Sequence, residues 1–145
     1  MKIYKEAIVP YSAEAMFRLV DDIPSYPQFL PWCQQAHEHH RTTQEVTASL
    51  QMARVGIHKQ FTTKNTLTPY SLIHIALVEG PFHTLQGEWR FIPLSDTGSK
   101  ITLQLQYETT GKWFDVAFAS VFDRIANSLV DAFCARARQL YANHY

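Results

Sequence analysis

Over its last thirty or so residues the chain drops the period-two alternation that runs through most of its length and takes up spacings of three and four. Phe114, Phe118, Val121, Ile125, Leu129 and Phe133 recur at those intervals, with Phe122, Ala126 and Ala137 on the adjoining rows. This pattern predicts one long amphipathic helix over 112–141 with a broad apolar face. Arg136 and Arg138 sit near its C-terminus, where cations suit the helix dipole. So long an apolar stripe has to be covered, and the rest of the chain offers mostly strands. The helix therefore demands an α+β arrangement in which a twisted antiparallel sheet wraps around it.

The strands are legible from alternation and from the turn residues between them. Lys2 to Val9 alternates and stops at Pro10; Ser12 then offers an N-cap to a short helix through Ala15, Met16, Leu19 and Val20. Pro24, Pro27 and Pro31 limit 23–32 to a helical turn or two, while Tyr26, Phe29, Leu30 and Trp32 require burial. The segment 35–41 is polar and suits an edge strand. Val46, Ala48, Leu50 and Met52 alternate up to a hairpin at Gly56, and Phe61, Thr63, Asn65 and Leu67 alternate after it. The segment 70–79 is apolar on both faces and reads as a central strand, 84–93 carries Leu85, Gly87, Trp89 and Phe91 on one face, and Asp96-Thr97-Gly98 turns the chain into 101–109. The predicted order is a strand, two short helices, six strands in meander and the long helix, about seven strands in all.

A chain of 145 residues is expected to form one domain over 1–145, and its 46% apolar content supplies a core that excludes disorder as the main reading. Thirteen basic residues balance 13 acidic ones, which excludes a bulk electrostatic hold on DNA or on an anionic membrane. Cys33 and Cys134 stand apart without a CxxC partner, so neither a disulfide framework nor a zinc site is expected, and a reducing cytoplasm fits. The N-terminus lacks the apolar core of a secretory signal, and Asp115 and Asp123 interrupt the most apolar stretch before it reaches membrane-spanning length. His37-Glu38-His39-His40 comes close to HExxH but has Arg41 in the final place, leaving too few ligands for a metal.

Several blocks carry a resemblance. Tyr26-Pro27-Gln28-Phe29-Leu30-Pro31-Trp32-Cys33, then Phe61-Thr62-Thr63-Lys64-Asn65, then Gly80-Pro81-Phe82 with Gly87-Glu88-Trp89-Arg90-Phe91, then Phe122-Asp123-Arg124-Ile125-Ala126-Asn127 and 132–137 follow in one order along nearly the whole chain. Together they resemble the coenzyme Q-binding START-like family of polyketide cyclase/dehydrase and lipid transport proteins, and within it the bacterial ribosome association toxin branch. The resemblance implies the helix-grip fold and a non-catalytic binder of ubiquinone or a related polyprenyl lipid in support of respiration, with no cofactor required. It also implies a rival role, binding the large ribosomal subunit and blocking its association with the small one. The family's cyclase label implies a third, but no GxSxG, P-loop, GxGxxG or Ser/His/Asp spacing accompanies it, so catalysis is not expected.

Candidate ligand contacts follow from the apolar faces. Phe61, Leu67, Trp89, Phe91, Leu103, Leu105 and Tyr107 on the sheet would oppose Phe118, Val121, Phe122, Ile125 and Leu129 on the helix, with Tyr26, Phe29 and Trp32 as a wall or lid. Plain core packing explains the same residues equally well. His74, Glu88, Arg90 and Tyr107 are polar candidates for a headgroup, although alternation puts Glu88 and Arg90 opposite Trp89. No acidic residue lies between Glu45 and Glu79, so the hairpin with Arg54, Lys59 and Lys64 should be locally basic around Val55 and Ile57. Such a tip suits transient membrane-surface contact or ribosomal phosphates, and equally a solvated hairpin folded back on the helix.

Overall fold

The structure, a computed structural model, describes residues 1–110 and 115–141, with the side chain of Asp115 left aside. The expected helix start at Lys112 and its first apolar residue, Phe114, lie outside the described residues. The chain opens with β1 (Lys2–Val9), α1 (Ala13–Asp21) and a 3-10 helix (Ile23–Gln28). It continues through β2 (Cys33–Arg41), β3 (Glu45–Arg54), β4 (Ile57–Thr68), β5 (Leu72–Glu79), β6 (Phe82–Pro93) and β7 (Ser99–Thr109), and ends in α2 (Asp115–Tyr141).

All seven strands join one antiparallel sheet in the order β1-β7-β6-β5-β4-β3-β2. β2 to β7 form the expected meander and β2 lies at an edge. β1 closes the other side by pairing with β7, Ile3 opposite Leu105 and Val9 opposite Ser99. β5 is the middle strand, yet Val78 on its outer face is exposed, so the sheet is covered on its concave side only.

Local chemistry explains the short helices. The Ser12 side chain accepts a hydrogen bond from the Ala15 N–H at 3.1 Å and caps α1. Met16, Phe17, Leu19 and Val20 are buried on one side of α1, which packs over β6 and β7. Pro24 and Pro27 confine the next segment to a 3-10 helix, and the Tyr26 hydroxyl donates to the Val20 carbonyl, tying the two helices together.

Bulges and one glycine bend the sheet around α2. Register shifts fall in β2–β3, β4–β5 and β6–β7, and bulges increase local twist. A side chain at Gly87 would place its Cβ 2.4 Å from the Gln104 carbonyl oxygen and 2.8 Å from Leu105 Cδ1, so only glycine lets β6 and β7 approach this closely. At 27 residues, α2 is about 40 Å long and comes nearest to β1, β7 and α1. No described helix is long and apolar enough to cross a membrane.

Candidate functional site

Strand register decides which side chains face α2. On β4 the inward row is Phe61, Thr63, Asn65 and Leu67, lying opposite Leu50, Ala48 and Val46 on β3. On the other side Asn65 pairs with Ile75 and Leu67 with Ile73, and the row continues through Gly87 and Trp89 to Leu105 and Leu103. Because α2 leans toward β1 and β7, the gap over the middle strands is not filled.

That gap is a cavity of about 100 Å3. Ala48, Leu50, Phe61, Thr63 and Asn65 supply one wall, Ile75, Leu85, Trp89 and Leu105 a second, and Phe122, Ile125, Leu129 and Phe133 of α2 the roof; Ile23, Tyr26 and Trp32 close one end. A groove of about 510 Å3 lies beside it, with Trp32 and Ile125 bordering both spaces. The groove runs outward between Leu30, Pro31 and the hairpin residues Arg54 and Val55 on one side and Val121, Arg124, Ser128 and Asp131 on the other. Drug-sized ligands occupy roughly 300–1,000 Å3, so the inner cavity by itself takes a small group, and the adjoining groove is the space of the larger size.

The sequence-derived candidates separate into two sets. Tyr26, Trp32, Phe61, Trp89, Leu105, Phe122, Ile125 and Leu129 line the cavity. Leu67, Phe91, Leu103, Tyr107 and Phe118 are buried core residues that do not reach it. Phe91 packs on Phe17 at 5.5 Å, while Phe118 and Tyr107 belong to an aromatic cluster with Phe82 and Phe122. Val121 faces the groove instead. Phe29 packs edge-on against Phe133 at 5.3 Å, with the Arg136 guanidinium 5.1 Å above its ring. Alternation had no means of separating these sets, because the inward face is one surface and only the lean of α2 leaves part of it unfilled.

None of the four polar headgroup candidates lines the cavity. His74 and Glu88 sit on the convex face, and Arg90 pairs with Glu88 there at 2.9 Å. Tyr107 points inward, but its hydroxyl donates to Asp123 at 2.8 Å; burial, then that bond, raises the phenol pKa. Thr63 and Asn65 are polar residues of the lining that are not among the sequence-derived candidates. Both stand in a row otherwise made of Phe61 and Leu67, a signal the alternation already contained. Tyr26 is the one titratable side chain in the described lining; its hydroxyl is committed to Val20, and burial pushes its phenol above the ordinary range. Cys33, beside Trp32, is buried, and burial pushes its thiol up to about 11.

The hairpin departs partly from expectation. Val55 and Gly56 make a two-residue turn with φ of 52° and 78°, and Val55 is 81% exposed beside the groove. Ile57 is half-buried and packs on the core rather than projecting, and Lys59 is half-buried. Lys64 stands far from the tip in an ion pair with Glu45 at 3.1 Å, which leaves Arg54 as the exposed cation there. On β2 the His37 and His39 rings lie 4.8 Å apart and His39 Nε2 is 2.6 Å from Ser49 Oγ. Among the described residues no group of three or more His, Cys, Asp or Glu side chains could hold a metal ion.

The profile of a family described as polyketide cyclase / dehydrase and lipid transport matches residues 9–134. A protein of Escherichia coli strain K12 named ribosome association toxin RatA is 43% identical over 141 residues, covering 97% of this chain and 89% of its own. The mitochondrial coenzyme Q-binding protein COQ10 of Drosophila melanogaster is 27% identical over 139 residues, covering 93% of this chain and 57% of its own. Among solved structures, the Zhui aromatase/cyclase of Streptomyces sp. R1128 superposes with a TM-score of 0.83 at 16% identity, covering 97% of this chain and 95% of that one. This last likeness is one of fold: a curved seven-stranded sheet with a long C-terminal helix.

Proposed function

The chain belongs to the polyketide cyclase / dehydrase and lipid transport family, and from that premise we propose that it is a non-catalytic binder of a polyprenyl quinone or related apolar lipid, acting in the cytoplasm in support of respiration. The observation that carries this reading is the apolar cavity under α2, with the groove adjoining it across Trp32 and Ile125. Burial is worth about 0.8 kcal/mol per methylene, so an isoprenoid tail along the groove gains affinity without many polar contacts. The relative named as coenzyme Q-binding supports the choice of ligand class.

The inner lining supports the non-catalytic part of this proposal. Acid–base chemistry needs groups that titrate near the working pH, whereas the described cavity residues include no His, Asp, Glu, Lys or Cys, and the one phenol is shifted upward. Organic extracts of protein purified without detergent, analysed by mass spectrometry, should contain a polyprenyl species in near-stoichiometric amount. Repeatedly empty preparations would remove the reading.

A second reading has its own support. The 43% identity to a ribosome association toxin extends over 97% of this chain, and the exposed Arg54–Val55 tip offers a cation and an apolar side chain to a partner such as the large ribosomal subunit. Overexpression should then raise free subunits at the expense of the 70S peak on a sucrose gradient. An unchanged profile with abundant protein in the supernatant would exclude it.

A further inference from the structure

Resting on the reading of the cavity as an apolar-ligand site, we propose that Asn65 selects the ligand's polar end: its side-chain oxygen accepts a hydrogen bond from a hydroxyl group on an otherwise apolar molecule. Asn65 Oδ1 is buried and has no hydrogen-bond partner among the described residues. Its cross-strand neighbours, Val46 on β3 and Ile75 on β5, are aliphatic and have no side-chain donor to offer. Beyond Asn65 on the same row Leu67 is buried in core, and on the other side Thr63 also faces the cavity. A buried acceptor left unpaired is a standing cost that a donor entering the cavity removes.

The surroundings narrow the ligand class. No cationic side chain belongs to the described lining, so a phosphate or carboxylate headgroup would arrive there uncompensated. At about 100 Å3 the cavity is about two thirds of the ~150 Å3 that accepts a benzene ring, so a chain end fits and a single ring is the upper limit. Asn65 lies eight residues along β4 from Ile57 at the hairpin, roughly 27 Å at strand rise, while the groove opens beside the hairpin tip. A ligand with its hydroxyl at Asn65 would direct its tail past Phe61 and Leu50 toward Trp32 and Ile125, the two side chains that stand between the cavity and the groove. A phenol, a neutral alcohol or the reduced, quinol form of a quinone meets these conditions, whereas an oxidised quinone has no hydroxyl to donate.

The test compares 4-butylphenol with butylbenzene by titration calorimetry on the wild-type protein and on Asn65→Leu and Asn65→Ala. The ratio of phenol to hydrocarbon affinity should fall about tenfold in both variants, with butylbenzene affinity in Asn65→Ala equal to or above wild type. A ratio that stays within twofold of wild type in both variants overturns the assignment of Asn65 and leaves the apolar-ligand reading standing. Wild-type protein that binds neither probe overturns both. Should Asn65→Leu fill the cavity and bind neither probe, Asn65→Ala decides by the same ratio.

Discussion

Phe122 is where the core and the cavity meet, so replacing it measures both. Its ring is 4% exposed, with centroids 4.8 Å from Tyr107, 4.9 Å from Phe82, 5.8 Å from Phe118 and 6.2 Å from Phe61, and its remaining side borders the cavity. Truncating a buried phenylalanine costs about 3–5 kcal/mol, from lost transfer free energy and from a void that neighbours fill only in part. Here the neighbours are held by β4, β6 and β7, so little collapse is available and about 4 kcal/mol is expected for Phe122→Ala. With a urea dependence of roughly 2 kcal/mol per molar, the unfolding midpoint should drop by about 2 M. Val121, one residue earlier, faces the groove half-buried, and Val121→Ala should cost no more than about 1 kcal/mol. The pair fixes the rotation of α2. Butylbenzene should also restore more stability to Phe122→Ala than it adds to wild type, since ligand binding to the native state stabilises it. A loss below about 1.5 kcal/mol for Phe122→Ala, or equal losses at 121 and 122, would refute the packing described.

Other sites make independent predictions. Gly87→Ala must displace the Gln104 carbonyl, and overpacking of that kind costs about 1–3 kcal/mol, so the thermal midpoint followed by circular dichroism should fall by roughly 3–10 °C; an unchanged midpoint would mean that β6 and β7 are farther apart. Val55→Asn places a residue tolerant of positive φ in the turn and should stabilise by about 1 kcal/mol, read from the urea midpoint. The Cys33 thiol, at about 11 in the folded state against 9.0 ordinarily, keeps its proton longer when folded. The unfolded chain therefore loses the proton first as pH rises, and the thiol's contribution to stability falls between about pH 9 and 11 and is constant below. Wild type should accordingly lose stability relative to Cys33→Ala across that window, as urea midpoints at pH 8.5 and 10.5 would measure; a constant difference would oppose it.

What could be read from the residues alone followed from periodicity. The meander, the edge position of β2, the Ser12 cap and the long final helix all rest on local patterns of two or of three and four, and these patterns survive folding. The cavity does not rest on a local pattern. Leu103 and Leu105 share a strand and a face, yet one is core and the other cavity wall, because the difference depends on where α2 leans. β6 begins at Phe82 rather than Thr84 because a bulge between Phe82 and Thr84 lets the ladder continue past it. Asn65 was visible as a polar residue in an apolar row, but its missing partner appears only when the register sets Val46 and Ile75 beside it.

The pairing of β1 with β7 sets an order of assembly. Ile3 meets Leu105 and Lys2 meets Gln106, so β1 waits during synthesis for about one hundred further residues before its partner exists. During that interval the nascent chain carries an unpaired strand and the apolar side of α1, surfaces that favour association with other chains. The other strand pairings are between chain neighbours, so this distant one is the step expected to form last and slowest, and chaperone demand during synthesis should concentrate on β1 and α1.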